Sequence, residues 1–97
     1  MNLFDYRIPE EGEIFTSLLE KKGIKINRIV SSDILEPVEY IQEEDEWLVL
    51  LEGQATLLIE GETKIVTKGD TLFIPAGTPH TVLKTVHGTL WLTVHIY

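Results

Sequence analysis

The stretch Gly69-Asp-Thr-Leu-Phe-Ile-Pro75-Ala-Gly77-Thr-Pro-His80 decides how this chain is read. A glycine turn leads into the apolar run Thr71–Ile74, which has the length and composition of a buried strand. Pro75 and Gly77 then pin a corner, and His80 opens the next strand. A corner fixed in this way aims one imidazole at a defined place, and a neutral imidazole is the commonest metal ligand among side chains.

Short strands extend in both directions from that corner. Ile24, Ile26, Arg28 and Val30 alternate with Lys25, Asn27 and Ile29. Val38–Gln42 follows Pro37. Trp47–Leu51 is apolar throughout, as in a strand buried on both faces. Ala55–Ile59 and Thr63–Val66 flank the hairpin turn Glu60-Gly61-Glu62. Thr81–Val86 and Thr89–Ile96 complete the set. Strands of this length, joined by glycine turns and with no crossover helix between them, predict an all-β sandwich or barrel. Before them, Pro9 and Gly12 mark residues 1–23 as an N-terminal arm. Within it, Ile14, Leu18 and Leu19 sit at roughly helical spacing and Gly23 follows as a stop, which predicts a short helix over Glu13–Lys22. The barrel is then residues 24–97.

Composition narrows the function classes. Ninety-seven residues allow one domain and one modest core. A net charge of −8 disfavours a nucleic-acid partner. No apolar run has the length of a membrane span, and Met1–Tyr6 lacks the order of a signal peptide. The absence of cysteine excludes disulfides and thiolate metal sites and fits a reducing, cytoplasmic setting. No nucleophilic triad or phosphate loop is recognisable.

The punctuation of residues 69–80 resembles the second signature motif of the cupin superfamily, G-x5-P-x-G-x2-H-x3-N. Gly69, Pro75, Gly77 and His80 match it, and Lys84 stands where asparagine is usual. The first cupin motif, G-x5-H-x-H-x3-4-E-x6-G, falls on Ile34, Tyr40, Gln42, Glu46 and Gly53, with identity only at Glu46 and Gly53. Gln42-x-x-Asp-Glu-Trp-Leu and Trp91-Leu-Thr-Val-His95 are similar to segments of very small, uncharacterised single-domain cupins. The resemblance implies a jelly-roll β-barrel, a homodimer and chemistry inside the barrel.

It also implies a site. Metal-binding cupins hold a divalent ion with two histidines and a glutamate from the first motif and one histidine from the second. Here Glu46 and His80 keep ligand identity, while Tyr40 and Gln42 replace the other two histidines. An amide oxygen is a poorer ligand for a transition metal than imidazole or carboxylate, and two good ligands rarely hold a metal against water.

His95 is a conditional addition. If His87-Gly88 is a two-residue hairpin turn, His80 pairs with His95 and both face inward; a three-residue turn sends His95 outward.

Three readings follow. The leading one is a small-molecule-binding barrel whose pocket is lined by Tyr40, Gln42, Glu46, His80 and His95, with Glu46 and His80 able to act as an acid/base pair. The second is an oxygenase or isomerase dependent on zinc, nickel, manganese or iron, bound by Glu46, His80, Gln42 and His95. The third is a structural or interaction module. In each, the apolar stripe Leu90, Leu92, Val94 and Ile96 lies on the face of its strand opposite His95. It must be covered by the N-terminal arm or by a second subunit.

Overall fold

Each apolar-alternating run becomes a strand in the computed structural model, which describes all 97 residues. Nine strands form in chain order: β1 (Glu13–Lys21), β2 (Ile24–Ser31), β3 (Glu39–Tyr40), β4 (Asp45–Glu52), β5 (Gln54–Ile59), β6 (Glu62–Thr67), β7 (Thr71–Ile74), β8 (His80–Thr85) and β9 (Thr89–Ile96). They build a five-stranded sheet in the order β1-β2-β9-β4-β7 and a four-stranded sheet in the order β3-β8-β5-β6. Every pairing is antiparallel. Consecutive strands repeatedly change sheet, so the architecture is a jelly-roll barrel. No helix is present.

The segment expected to be helical is instead the edge strand β1, and the barrel sheet begins at Glu13. The misleading spacing has a physical source. A bulge between Ser17 and Leu19 inserts one extra residue into β1. Ile14 and Leu19, five residues apart, therefore pair with Val30 and Ile26, which lie on one face of β2. An uninterrupted strand would put positions five apart on opposite faces. Gly23 is not a helix stop. Lys22 and Gly23, with φ of 43° and 82°, are both left-handed and form a two-residue hairpin turn between β1 and β2.

The facing sheets bury Leu48, Leu50, Ala55, Leu57, Val66, Ile74 and Trp91 in one core cluster. Along β4 and β9 the inward residues pair directly: Glu46 with His95, Leu48 with Thr93, and Leu50 with Trp91. The opposite face carries the apolar stripe. Leu90 is fully buried there, and the N-terminal segment is clipped across the same face. Arg28 Nη1 donates to the carbonyls of Asn2, Leu3 and Asp5 at 3.4, 3.3 and 3.0 Å. The far end of the stripe is open. Leu19, Ile26, Val94, Trp47 and Phe73 pair successively across all five strands, with Trp47 37% and Phe73 57% exposed. Trp47–Leu51 is thus buried completely on one face only.

No hairpin joins β8 and β9. β8 pairs with β3 and β5, β9 pairs with β2 and β4, and the intervening corner crosses between sheets. Hydrogen bonds fasten that corner to both sides. Thr85 Oγ1 donates to the Ser32 carbonyl, the Val86 amide to Gln54, and the Gly88 amide to Ser31.

Gly53 shows what such a turn requires. Its φ is 93°, and a Cβ there would lie 2.5 Å from Thr89 Oγ1 and 2.8 Å from Thr89 Cα. Gly69 has a similar φ of 88°, but a Cβ added to it would meet nothing within 4 Å. Gly53→Ala is expected to cost about 3 kcal/mol, and Gly69→Ala about 1 kcal/mol for backbone strain alone. Urea denaturation of both variants checks this; equal losses would show that contact with Thr89 is not what fixes glycine at position 53.

Candidate functional site

The corner after β7 is stitched to the chain preceding β4. The Gly77 amide donates to the Gln42 carbonyl at 2.8 Å, and the Ala76 amide to Asp45 Oδ1 at 2.8 Å. Asp45, which as a member of an acidic run reads as a solvated residue, is therefore a corner pin. The turn closes through the Thr78 amide on the Pro75 carbonyl. It delivers His80 to the start of β8 with its ring inside the barrel, where the residue is 8% exposed.

A carbonyl only accepts, so the 2.9 Å contact of His80 Nδ1 with the Thr78 carbonyl assigns the ring hydrogen to Nδ1. The other nitrogen of the neutral ring then carries a lone pair. Nε2 lies 3.9 Å from Glu46 Oε1, which reaches toward it from the opposite sheet. That separation is beyond hydrogen-bond reach. Glu46 is itself buried. Tyr40 pairs with His80 across β3 and β8, with ring centroids 5.9 Å apart and planes at 31°.

His95 repeats this arrangement on β9. Nδ1 contacts Glu44 Oε2 at 2.9 Å, and Nε2 lies 3.4 Å from Thr93 Oγ1. A carboxylate accepts, so here too a hydrogen sits on Nδ1, and in the neutral ring Nε2 holds the lone pair. The expected pairing of His80 with His95 does not form, because their strands belong to different sheets. His95 nevertheless faces inward, for another reason: it pairs with Glu46 on β4.

Tyr40, Gln42, Glu46, His80 and His95 all line one cavity of about 140 Å³ between the sheets. The apolar part of its wall includes Leu48, Leu57, Ile74 and Trp91. Gln42 Nε2 is buried without a hydrogen-bond partner. Tyr40 is 49% exposed and stands at the mouth with Phe15. Lys84 and His87 are outside this group; His87 is exposed beside Asp33. Three contributors were not singled out from the sequence. Glu13 and Thr93 also line the cavity, and Glu44 orients His95. Glu44 sits among four consecutive acidic residues, and only the pairing of β4 with β9 distinguishes it from its neighbours.

A family model for the cupin domain matches residues 35–95. The chain belongs to the cupin superfamily. Similar solved structures include a protein from Ralstonia eutropha JMP134 provisionally assigned as a mannose-6-phosphate isomerase. It is 37% identical over 99% of this cupin and 95% of that chain, with a TM-score of 0.88. A conserved protein of unknown function from Streptococcus pyogenes is 22% identical over 99% and 84% of the two chains, with a TM-score of 0.84. A cupin superfamily protein from Desulfitobacterium hafniense DCB-2 is 18% identical over 94% and 83%, with a TM-score of 0.83. The last two show the fold alone. No curated protein matches this chain significantly.

The family implies a divalent ion, and the donors of this cupin do not fit one. No three His, Asp or Glu side chains converge as a ligand group. Glu46 and His80 approach each other, but the positions that would complete the set offer a half-exposed phenol and a neutral amide. His95 directs Nε2 to the Thr93 hydroxyl side. Softer transition ions prefer imidazole, thiolate or carboxylate to such groups.

Glu44 gives the site a pH signature. Burial pushes its carboxyl up, but the Glu44 backbone amide, the Tyr97 hydroxyl and His95 outweigh it and hold the group below its ordinary value of 4.5. The same contact raises the Tyr97 phenol, which donates to Glu44. A depressed native value makes Glu44 stabilising above pH 4.5, and that contribution is lost as pH falls through the native value. The stability difference between wild type and Glu44→Gln is therefore expected to be constant above pH 4.5 and to shrink below it. Denaturant melts across that range measure it; a difference that is flat down to the acid transition would refute the stabilising role of these contacts.

Proposed function

We propose that this cupin binds a small polar molecule inside its barrel, through Tyr40, Gln42, Glu46, His80 and His95. One observation carries the reading. A buried carboxylate and two imidazoles line the same cavity, and each imidazole is already tied off at Nδ1. A carboxylate withdrawn from bulk water is costly unless something solvates it, and His80 is too distant to do so. Cavity water or a ligand supplies the missing partner. Convergent polar groups on an otherwise apolar wall are also the general form of a small-molecule site.

Glu46 and His80 form an acid/base pair able to move a proton on a bound molecule, but binding is the function proposed. The Ralstonia relative is provisionally assigned to a phosphorylated sugar, which makes sugars, with and without phosphate, the starting point for a ligand search.

The test is a thermal-shift panel of small sugars, polyols and hydroxy acids, run with EDTA present. At least one compound is expected to raise the Tm of wild type and of neither His80→Ala nor His95→Ala. A full panel without response, or a shift that survives both substitutions, would overturn the reading. A shift abolished by EDTA and restored by a metal would favour the metalloenzyme instead.

We further propose that the open end of the outer sheet pairs with a second copy of the chain. The Leu19–Ile26–Val94–Trp47–Phe73 row is apolar across five strands, and the N-terminal segment covers only the Leu90 end of that face. Sedimentation at micromolar concentration is expected to report a dimer for wild type and a folded monomer for Trp47→Glu. A monomeric wild type would remove the dimer from the account.

A further inference from the structure

The cavity wall has a second polar pole, opposite in chain position to the two cupin motifs. Trp91 Nε1 donates to Ser31 Oγ at 3.0 Å, and Ser31 in turn donates to Glu13 Oε2. Both Trp91 and Glu13 line the cavity, and Ser31 is fully buried behind them. Glu13 is thus not a loose surface acid. The relay through Ser31 to the indole holds one of its oxygens in place.

The wall then has an unusual balance. Its acceptors are the Glu13 and Glu46 carboxylates and, in the neutral ring, His80 Nε2, while His95 Nε2 already lies 3.4 Å from the Thr93 hydroxyl. Its donors are the Tyr40 hydroxyl and the Gln42 amide, whose buried Nε2 has no protein acceptor. The lining contains no lysine or arginine. A phosphate would bring only acceptors and negative charge to two carboxylates, with no fixed cation to receive it. An ammonium would satisfy the carboxylates but accept nothing from Gln42 or Tyr40. A hydroxyl both donates and accepts, so it serves every group present, in either orientation of the Gln42 amide.

We infer that the ligand is an uncharged, hydroxyl-rich molecule, and that Glu13 is a specificity-determining residue that excludes phosphorylated analogues. This rests on the proposal that the barrel binds a small molecule. Size agrees with it: a cavity of about 150 Å³ accommodates benzene, so the 140 Å³ here suits a short polyol or one end of a sugar.

The experiment titrates erythritol, erythritol phosphate and aminodeoxyerythritol into the full chain. It follows the His80 and His95 ring resonances by NMR, which locates binding inside the barrel. Erythritol is expected to bind about tenfold or more tightly than either charged analogue, and Glu13→Ala to weaken it by about tenfold. Glu13→Gln keeps a hydrogen-bonding group and removes the charge, so it is expected to narrow the gap between erythritol and its phosphate. That readout does not move if Glu13 merely supports β1, and it carries the test if Glu13→Ala unfolds. Tighter binding of the phosphate or the amine at the same resonances would overturn the ligand class while leaving small-molecule binding intact. Absence of binding by all three would overturn the class as well, and the thermal-shift panel then decides the broader reading separately. Unchanged discrimination in Glu13→Gln would remove Glu13 from the site.

Discussion

Two short hydrogen bonds at one corner hold the pocket together. The Gly77 and Ala76 amides reach back to the Gln42 carbonyl and the Asp45 carboxylate. They join the turn that aims His80 to the segment that carries Gln42, Glu44 and Glu46. These residues come from distant parts of the chain and, through β4 and β8, from different sheets. The Glu46–Ile74 and Tyr40–His80 pairings bring the two sides close, and the stitch fixes the turn that lies between them. With it, both sides of the cavity are referred to a common point, and the separation of their polar atoms becomes a property of the local backbone.

Residues with a local signature were legible in the sequence. Pro75, Gly77 and His80 specify a turn, and the strand runs from Ile24 onward follow from alternation and glycine spacing, so the barrel could be anticipated. What failed depended on partners. The β1 bulge adds one residue that no local rule detects, and it turned a strand pattern into an apparent helical one. The Val86–Gly88 corner has the composition of a hairpin turn, yet its hydrogen bonds go to Ser31, Ser32 and Gln54 in other parts of the chain. His95 consequently faces inward by pairing with Glu46 rather than with His80. Glu44, Asp45 and Glu13 were illegible as functional groups for the same reason. A charged residue in a polar run is ordinarily solvated, and only tertiary neighbours give these three their tasks.

This cupin keeps the corner and the cavity of its superfamily, and Tyr40 and Gln42 stand at two positions where the first cupin motif carries histidine. The imidazoles retain the orienting contacts at Nδ1 that fix which nitrogen faces inward. Such an arrangement suits hydrogen bonding to a ligand as well as it suits coordination, because both require a lone pair held at a known place.

The hairpin of β1 and β2 lies wholly before the residues matched by the cupin family, and β1 occupies a sheet edge. An edge strand has one neighbour, so its sequence can change without repacking the middle of the barrel. Yet Glu13 and Phe15 on this strand form part of the cavity wall. Under the proposed binding role, a substitution in this outer hairpin would change one panel of the wall that a ligand meets while leaving the corner and the central strands where they are.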